Sequence, residues 1–276
     1  MMYKAKKTIF SNIKKLFLIF YALMSILPFL WVLFSAFKDN TAIFAHPFSL
    51  PDTLSFDNFS RALGSANIAK YFFNSLAISI STVVLLTIII SMATYVLTRV
   101  INAPAIVNYL MMGFMIPIHA LLIPNFLIVR NLGLMNNKIG LILIYIAANT
   151  SFSYFLMSGY MQGIPKALDE AATIDGAGYF RTYFSIILPV SKAAIATVGT
   201  FAFINTWNDL LFALVINTKL ETMTITQGIN NLRGYYSTDY GLLCAGLFFA
   251  VVPVVIMYVF LQEHVVKGMT AGAVKG

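Results

Sequence analysis

Long apolar runs alternate with short polar segments along the whole chain, and nowhere does the two-residue rhythm of a half-buried strand take over. Leu16 to Phe37 carries no charge. At 1.5 Å per residue it reaches about 33 Å, enough to cross a bilayer core. Phe72 to Thr98 is likewise uncharged, and further apolar runs cover about 105–129, 139–161, 189–215 and 242–262. The pattern predicts an all-α polytopic membrane protein with six transmembrane helices and no separate soluble domain. Pro28 predicts a bend in the first helix. Pro117 and Pro124 predict a bent or interrupted third one, and such breaks are tolerated only inside protein or beside a water-filled cavity.

The polar segments differ in length. Residues 38–71 form the longest, with a short helix expected near Phe56–Leu63. Arg99 to Pro104 reads as a tight turn and Arg130 to Lys138 as another. Residues 217–241 form a loop whose TMTITQGINNL portion predicts a small re-entrant or surface helix. Between the fourth and fifth runs lies EAATIDGAGYFRTYFSIILP, Glu170 to Pro189. Pro165 opens it at a favourable first-turn position. Asp169 and Glu170 follow where carboxylates meet the positive end of the helix dipole. Leu168, Ala171, Ala172 and Ile174 give a small, mostly apolar face, and Gly176 stops the helix. Phe180, Tyr183, Phe184 and Ile187 recur at helical spacing, and Pro189 closes the unit. A helix–glycine–helix knob of this kind suits the docking of a soluble partner; the plain alternative is a loop lying on the membrane surface.

Composition sharpens this picture. The 276 residues are 59% hydrophobic and 10% charged, with a mean hydropathy of +0.83 and a net charge of +8. Globular proteins carry about 25% charged residues. The basic excess does not indicate nucleic acid, because lysines and arginines flank apolar spans and form no basic–aromatic patch. It instead orients the chain. With the termini inside, eleven basic residues face the cytoplasm, led by Lys4, Lys6, Lys7, Lys14 and Lys15, and seven face outward. This agrees with the positive-inside rule and puts residues 163–189 on the cytoplasmic side. The first run is too long for a signal-peptide core and lacks a small-x-small cleavage site, so it reads as an uncleaved helix. A single cysteine, Cys244, excludes an intrachain disulfide framework. His46, His119 and His264 are far apart in sequence, and no HExxH or CxxC occurs, so no metal is expected.

Polar residues inside the runs are the remaining candidates for chemistry. Ser75, Ser79, Ser81, Thr82, Thr87, Ser91 and Thr94 in the second run point first to close helix packing and second to pore lining. The fourth run has a polar middle at Asn149, Thr150, Ser151 and Ser153. In the fifth, Asn205, Asn208 and Asp209 stand at i, i+3 and i+4, so a continuous helix would put them on one face. That face would look into the bundle or a cavity, or fix packing by hydrogen bonds. Asn149, Asn205, Trp207 and Asn208 are the pathway-lining candidates, since aromatics offer a stacking face and amides hydrogen-bond to polar solutes. His119 reads either as a pathway-lining residue or, preferred here, as a satisfied packing residue near an interface.

Glu170-Ala171-Ala172, three residues, Gly176, nine residues, Ile186, one residue and Leu188-Pro189 resembles the EAA loop of bacterial ABC importer permeases. The stretch NTWND (205–209), Asn74-Ser75-Leu76 and the tail LQEHVVKGMTAGAVKG resemble the carbohydrate permeases related to the maltose system's smaller permease. The resemblance covers the chain from the second helix onward; the first helix and first outer loop match in character alone. It implies a type I ABC importer permease fold and a place in the bacterial cytoplasmic membrane. It implies that Glu170, Ala171, Ala172, Asp175, Gly176, Ile186, Leu188 and Pro189 couple the chain to an ATPase. Gly268, Thr270 and Gly272 would reach the ATPase interface. Implied partners are a second, homologous permease in a heterodimer, two cytoplasmic ATPase subunits and an extracytoplasmic sugar-binding protein. ATP and Mg would be bound by the partners, and no cofactor by this chain, which has no GxxxxGK[ST] loop. The expected cargo is a di- or oligosaccharide. An ABC permease for another solute is the alternative, followed by an ion-coupled secondary transporter.

Overall fold

A computed structural model describes residues 2–234 and 236–273, with side chains for 11–234, 236–260 and 262. Its elements are helices: α1 (Met2–Ser35), α2 (Asn40–Ala45), α3 (Asp57–Leu63), α4 (Ile68–Tyr95), α5 (Pro104–Met112), α6 (Leu122–Asn131) and α7 (Lys138–Gly163). After these come α8 (Ala167–Ile174), α9 (Tyr179–Thr182), α10 (Leu188–Val190), α11 (Lys192–Asn208), α12 (Leu211–Ile216), α13 (Ile225–Asn231) and α14 (Tyr240–Ala273). Four stretches are long and apolar enough to cross a membrane: Ser11–Ser35, Ile68–Val100, Lys138–Gly163 and Tyr240–Phe260. Two bent pairs bring the number to six. Pro104–Met115 meets Ile118–Asn131 at 97°, and Tyr179–Val190 meets Lys192–Asn208 at 74°.

Two boundaries differ from those expected. The helix that begins as α4 continues through a π turn to Val100, so Arg99 sits in its last turn and not in a loop. The fifth run is not one helix over 189–215. It breaks at Ser191 and again at Asp209, whose backbone is extended at φ −67° and ψ 134°. The second break is stabilised locally, because the Asp209 carboxylate accepts the Ala213 N–H at 3.1 Å and so caps α12.

The chain forms two compact units. One holds the chain up to Ala69 together with Ile229–Val251; the other holds Lys70–Gly228 and the chain from Val252 on. In the first unit the outer loop is tied by specific polar contacts. Asn58 Nδ2 donates to the carbonyls of Ala36 at 3.0 Å and Lys38 at 2.9 Å. The buried Lys38 ammonium donates to the carbonyls of His46 and Ser49. Gly241 lies against the Lys38 carbonyl and the Asn58 amide so closely that a Cβ would collide with both.

Arg61 in α3 pairs with Asp239 at 2.6 Å. Burial pushes the Asp239 carboxyl up, but hydrogen bonds from Leu242, Arg61 and Gly241, together with the Arg61 charge, hold it below its ordinary 3.8. A carboxylate whose folded pKa is depressed contributes stability above the unfolded value and loses it as pH falls. The thermal stability of the wild type should therefore drop below about pH 4 by more than that of Asp239→Asn, measured by a pH series in detergent.

In the second unit, α4, α7 and α11 pack around Leu86, Ile90, Tyr154, Met157, Val198 and Ala202, all buried. The α4 hydroxyls face this packing: Ser75, Ser79, Thr82, Ser91 and Thr94 are each at most 3% exposed, which favours the packing reading over pore lining. Asn74 and Ser75 also hold the loop before α13. Asn74 Nδ2 donates to the carbonyls of Glu221 and Met223, both at 2.9 Å, and Ser75 Oγ accepts the Ile225 N–H at 2.8 Å. Thr224, Ile225 and Gln227 are consequently buried, so of the two readings, re-entrant or surface helix, the surface one does not hold.

Candidate functional site

The knob between α7 and α11 starts where α7 ends at Gly163, with Ile164 extended behind it. Pro165 sits one residue before the N-cap, Lys166, and not inside the first turn. α8 buries Ala172 and leaves Glu170, Ala171 and Asp175 exposed, with Ile174 at 86% exposure. Its end is a Schellman motif: the Ala177 N–H reaches the Ala172 carbonyl at 2.9 Å, and the Gly176 N–H reaches that of Thr173 at 3.0 Å. Gly176 takes φ +70°, and a Cβ there would meet nothing within 4 Å. The glycine is thus set by backbone conformation and not by crowding within the chain.

α9 follows with Tyr179 and Phe180 exposed, then a π turn over Tyr183–Ile187 that buries Tyr183 and Ile187. Ile186 and Leu188 pack against the chain's own core, so these two coupling candidates shape the knob from within. Pro189 is exposed in the first turn of α10. Glu170 is exposed and lines a groove beside Arg99 and Asp169. The acid that ties α8 to the rest of the unit is its neighbour Asp169, which pairs with Arg99 at 2.8 Å. Sequence reasoning missed this pairing. The available signal was a lone arginine at the end of an apolar run, with an acid in the next loop on the same side.

A second polar locus lies among α7, α11 and the break after α11. A cavity of about 490 Å³ is lined by His119, Tyr145, Asn149, Asn205, Asn208 and Asp209, with apolar neighbours including Leu211. Asn205 Nδ2 donates to Asn149 Oδ1 at 2.9 Å, Asn149 Nδ2 donates to the Tyr145 carbonyl at 2.8 Å, and the Tyr145 hydroxyl donates to Asp209 Oδ2 at 2.8 Å. The structure brings Asn149, Asn205 and Asn208 together around this cavity. Asp209 joins them from the helix break, not from the α11 face. His119, read as a packing residue, is exposed to the cavity from a short 3-10 turn after Pro117.

Trp207 is a correction. It is 1% exposed, stacked on Phe203 at 5.4 Å and edge-on to Phe72 at 5.5 Å, so it is a core residue and not a lining one. α11 turns its aromatic side inward because that side meets the apolar face of α4, while the amides of Asn205 and Asn208 take the open side. Gly268, Thr270 and Gly272 lie outside the residues whose side chains are described.

Chemically, the cavity offers amides, a phenol, an imidazole and one carboxylate. Among the described residues no group of three His, Cys, Asp or Glu could hold a metal ion. The arrangement suits hydrogen bonding to a hydroxylated solute.

Residues 103–271 match the family described as the binding-protein-dependent transport system inner membrane component. A permease protein of a diacetylchitobiose uptake system from Streptomyces coelicolor is 35% identical over 95% of this chain and 88% of its own length. A multiple sugar-binding transport system permease protein from Streptococcus mutans is 32% identical over 92% of this chain and 93% of its own. The crystal structure of a bacterial ABC transporter involved in the import of alginate contains a chain of the same fold, with a TM-score of 0.77 at 24% identity, covering 94% of this chain and 97% of that one.

Proposed function

Because the chain belongs to the family of binding-protein-dependent transport system inner membrane components, as a transport subunit of an ABC importer, we propose that it carries a di- or oligosaccharide across the bacterial cytoplasmic membrane. Relatives that match over nearly their full length are named for diacetylchitobiose, multiple sugars and arabinooligosaccharides, and this supports a sugar over another solute. The proposed assembly pairs this chain with a second permease, two cytoplasmic ATPases that bind ATP and Mg, and an extracytoplasmic binding protein. Both termini lie in the cytoplasm, following the basic residues. The whole chain acts as one permease domain.

The observation that carries the mechanism is the knob at Glu170–Pro189. It leaves Glu170, Ala171, Ile174, Tyr179 and Phe180 exposed, small and apolar residues together with one carboxylate-bearing residue. Exposed apolar patches of this kind mark docking sites. ATP-driven closure of the partners presses on this surface. The knob moves as a unit because the Schellman turn fixes the angle between α8 and α9, and the adjoining helices follow. Sugar handed over by the binding protein then passes the Asn149–Asn205–Asn208 cavity by exchanging water hydrogen bonds for amide ones. The tail at Gly268, Thr270 and Gly272 reaches the ATPase interface.

Purification of the detergent-solubilised, tagged chain followed by mass spectrometry tests this reading. The expected eluate contains a second permease and a P-loop ATPase, and the reconstituted complex takes up labelled chito- or maltooligosaccharide only with ATP and the binding protein. A chain recovered alone that moves solute under an ion gradient would overturn it in favour of a secondary transporter.

A further inference from the structure

Arg99 is tightly held in the second unit. Its side chain is 5% exposed, and it sits in the π turn that ends the α4 helix. Its guanidinium donates to Asp169 Oδ2 of α8 at 2.8 Å, to the Ile164 carbonyl at 2.6 Å, and to the Met161 carbonyl in the last turn of α7. One planar fork therefore gathers the end of one span, the end of another and the first turn of the knob. Its position at a helix C-terminus is also favourable, since cations there meet the negative end of the helix dipole. Arginine suits this role because its five donors stand in a fixed plane, whereas a lysine ammonium acts as a point charge.

The rear half of the knob is fastened to the same helix. The Tyr183 hydroxyl, buried, meets Ser91 Oγ of α4 at 2.7 Å, and its ring lies 5.4 Å from that of Tyr95. α4 is not adjacent to the knob in the chain, yet both halves of the knob are pinned to it.

We propose that Arg99 is a positioning residue for energy coupling: through Asp169 it makes α4, and not only the flanking α7 and α11, move with the knob when the knob is displaced. This rests on the reading of the knob as the ATPase-docking element. With 5% of its side chain exposed, Arg99 has almost no surface to offer a solute or an ATPase. It converts the displacement of a short helix into displacement of a membrane span, because the links are short, directional and mostly buried.

The test uses the complex that copurifies with the wild-type chain, reconstituted in vesicles, and reads three quantities: ATPase recovered per permease, ATP hydrolysed, and sugar taken up per ATP. Arg99→Gln and the near-isosteric Asp169→Asn should each retain ATPase recovery and hydrolysis while sugar per ATP falls about tenfold, within the usual range of coupling between two sites. The double variant should be no worse than Arg99→Gln alone, since Asp169 acts through Arg99. Arg99→Lys should recover part of the ratio. If Arg99→Gln fails to accumulate, Asp169→Asn carries the same measurement from the partly exposed side of the pair. Normal ATPase recovery with an unchanged ratio of sugar to ATP in Asp169→Asn would overturn the inference alone. A wild-type eluate without an ATPase would overturn the docking reading and this inference with it.

Discussion

Replacing Gly176 by leucine should cut sugar uptake by at least about tenfold, the equivalent of about 1.4 kcal/mol on the barrier, while the amount of protein in the membrane stays unchanged. Gly176 holds φ +70°, a left-handed conformation that costs an L-residue roughly 1–2 kcal/mol. A Cβ at this position finds open space within the chain. Strain therefore falls on the turn itself, and a strained turn relaxes by reopening the Schellman bonds to Ala172 and Thr173. The angle between α8 and α9 is then lost. A graded series separates conformation from crowding by a partner. Asparagine tolerates the left-handed region far better than alanine does, although it is larger. If conformation governs, uptake at matched expression should fall in the order Gly176→Asn, Gly176→Ala, Gly176→Leu. If the alanine variant outperforms the asparagine one, the partner's surface is what demands glycine. Normal uptake by Gly176→Leu would show that this turn transmits nothing.

Trp207→Ala should fail in a different way, by loss of folded protein and not by altered solute preference. The indole is 1% exposed between Phe203 and Phe72, and truncating a buried tryptophan costs about 3–5 kcal/mol through lost contacts and the cavity left behind. Thermal unfolding in detergent should shift down by many degrees, whereas Asn205→Ala should shift it far less and change uptake selectively. Trp207→Phe, which keeps an aromatic plate against Phe203, should recover most of the lost stability. A stable Trp207→Ala protein with an altered sugar preference would return this residue to the pathway.

These two cases show why some features could be read from the chain and others could not. The apolar runs were legible because a bilayer demands a length of uncharged residues that few other environments tolerate. The break in the third span was legible because proline removes a helix donor and clashes with the preceding turn. Gly176 was legible because a stop signal and a following aromatic helix stand next to each other in sequence. The break at Asp209 carries neither proline nor glycine. It depends on a carboxylate folding back to cap α12 and on a phenol, Tyr145, supplied from another helix. The side on which Trp207 falls was hidden for a related reason: α11 is small or apolar nearly all round, so periodicity names no inward face. Arg99 and Asp169 are separated by 70 positions, and the one signal joining them, a lone arginine ending an apolar run and an acid in the next loop on that side, does not say which acid it meets.

The first helix leads to a different kind of consequence. Within Ser11–Ser35 the most apolar window has none of its residues buried within the chain. Nothing in the chain itself fixes the shape of that surface, so what it meets is lipid or the second permease. Where it meets lipid, length and oiliness are what count, and exchanges among leucine, isoleucine, phenylalanine and methionine become neutral. Exchange by exchange, the helix therefore maps its own surroundings: positions that accept any of the four face lipid, and a position that resists marks the seat of the second permease.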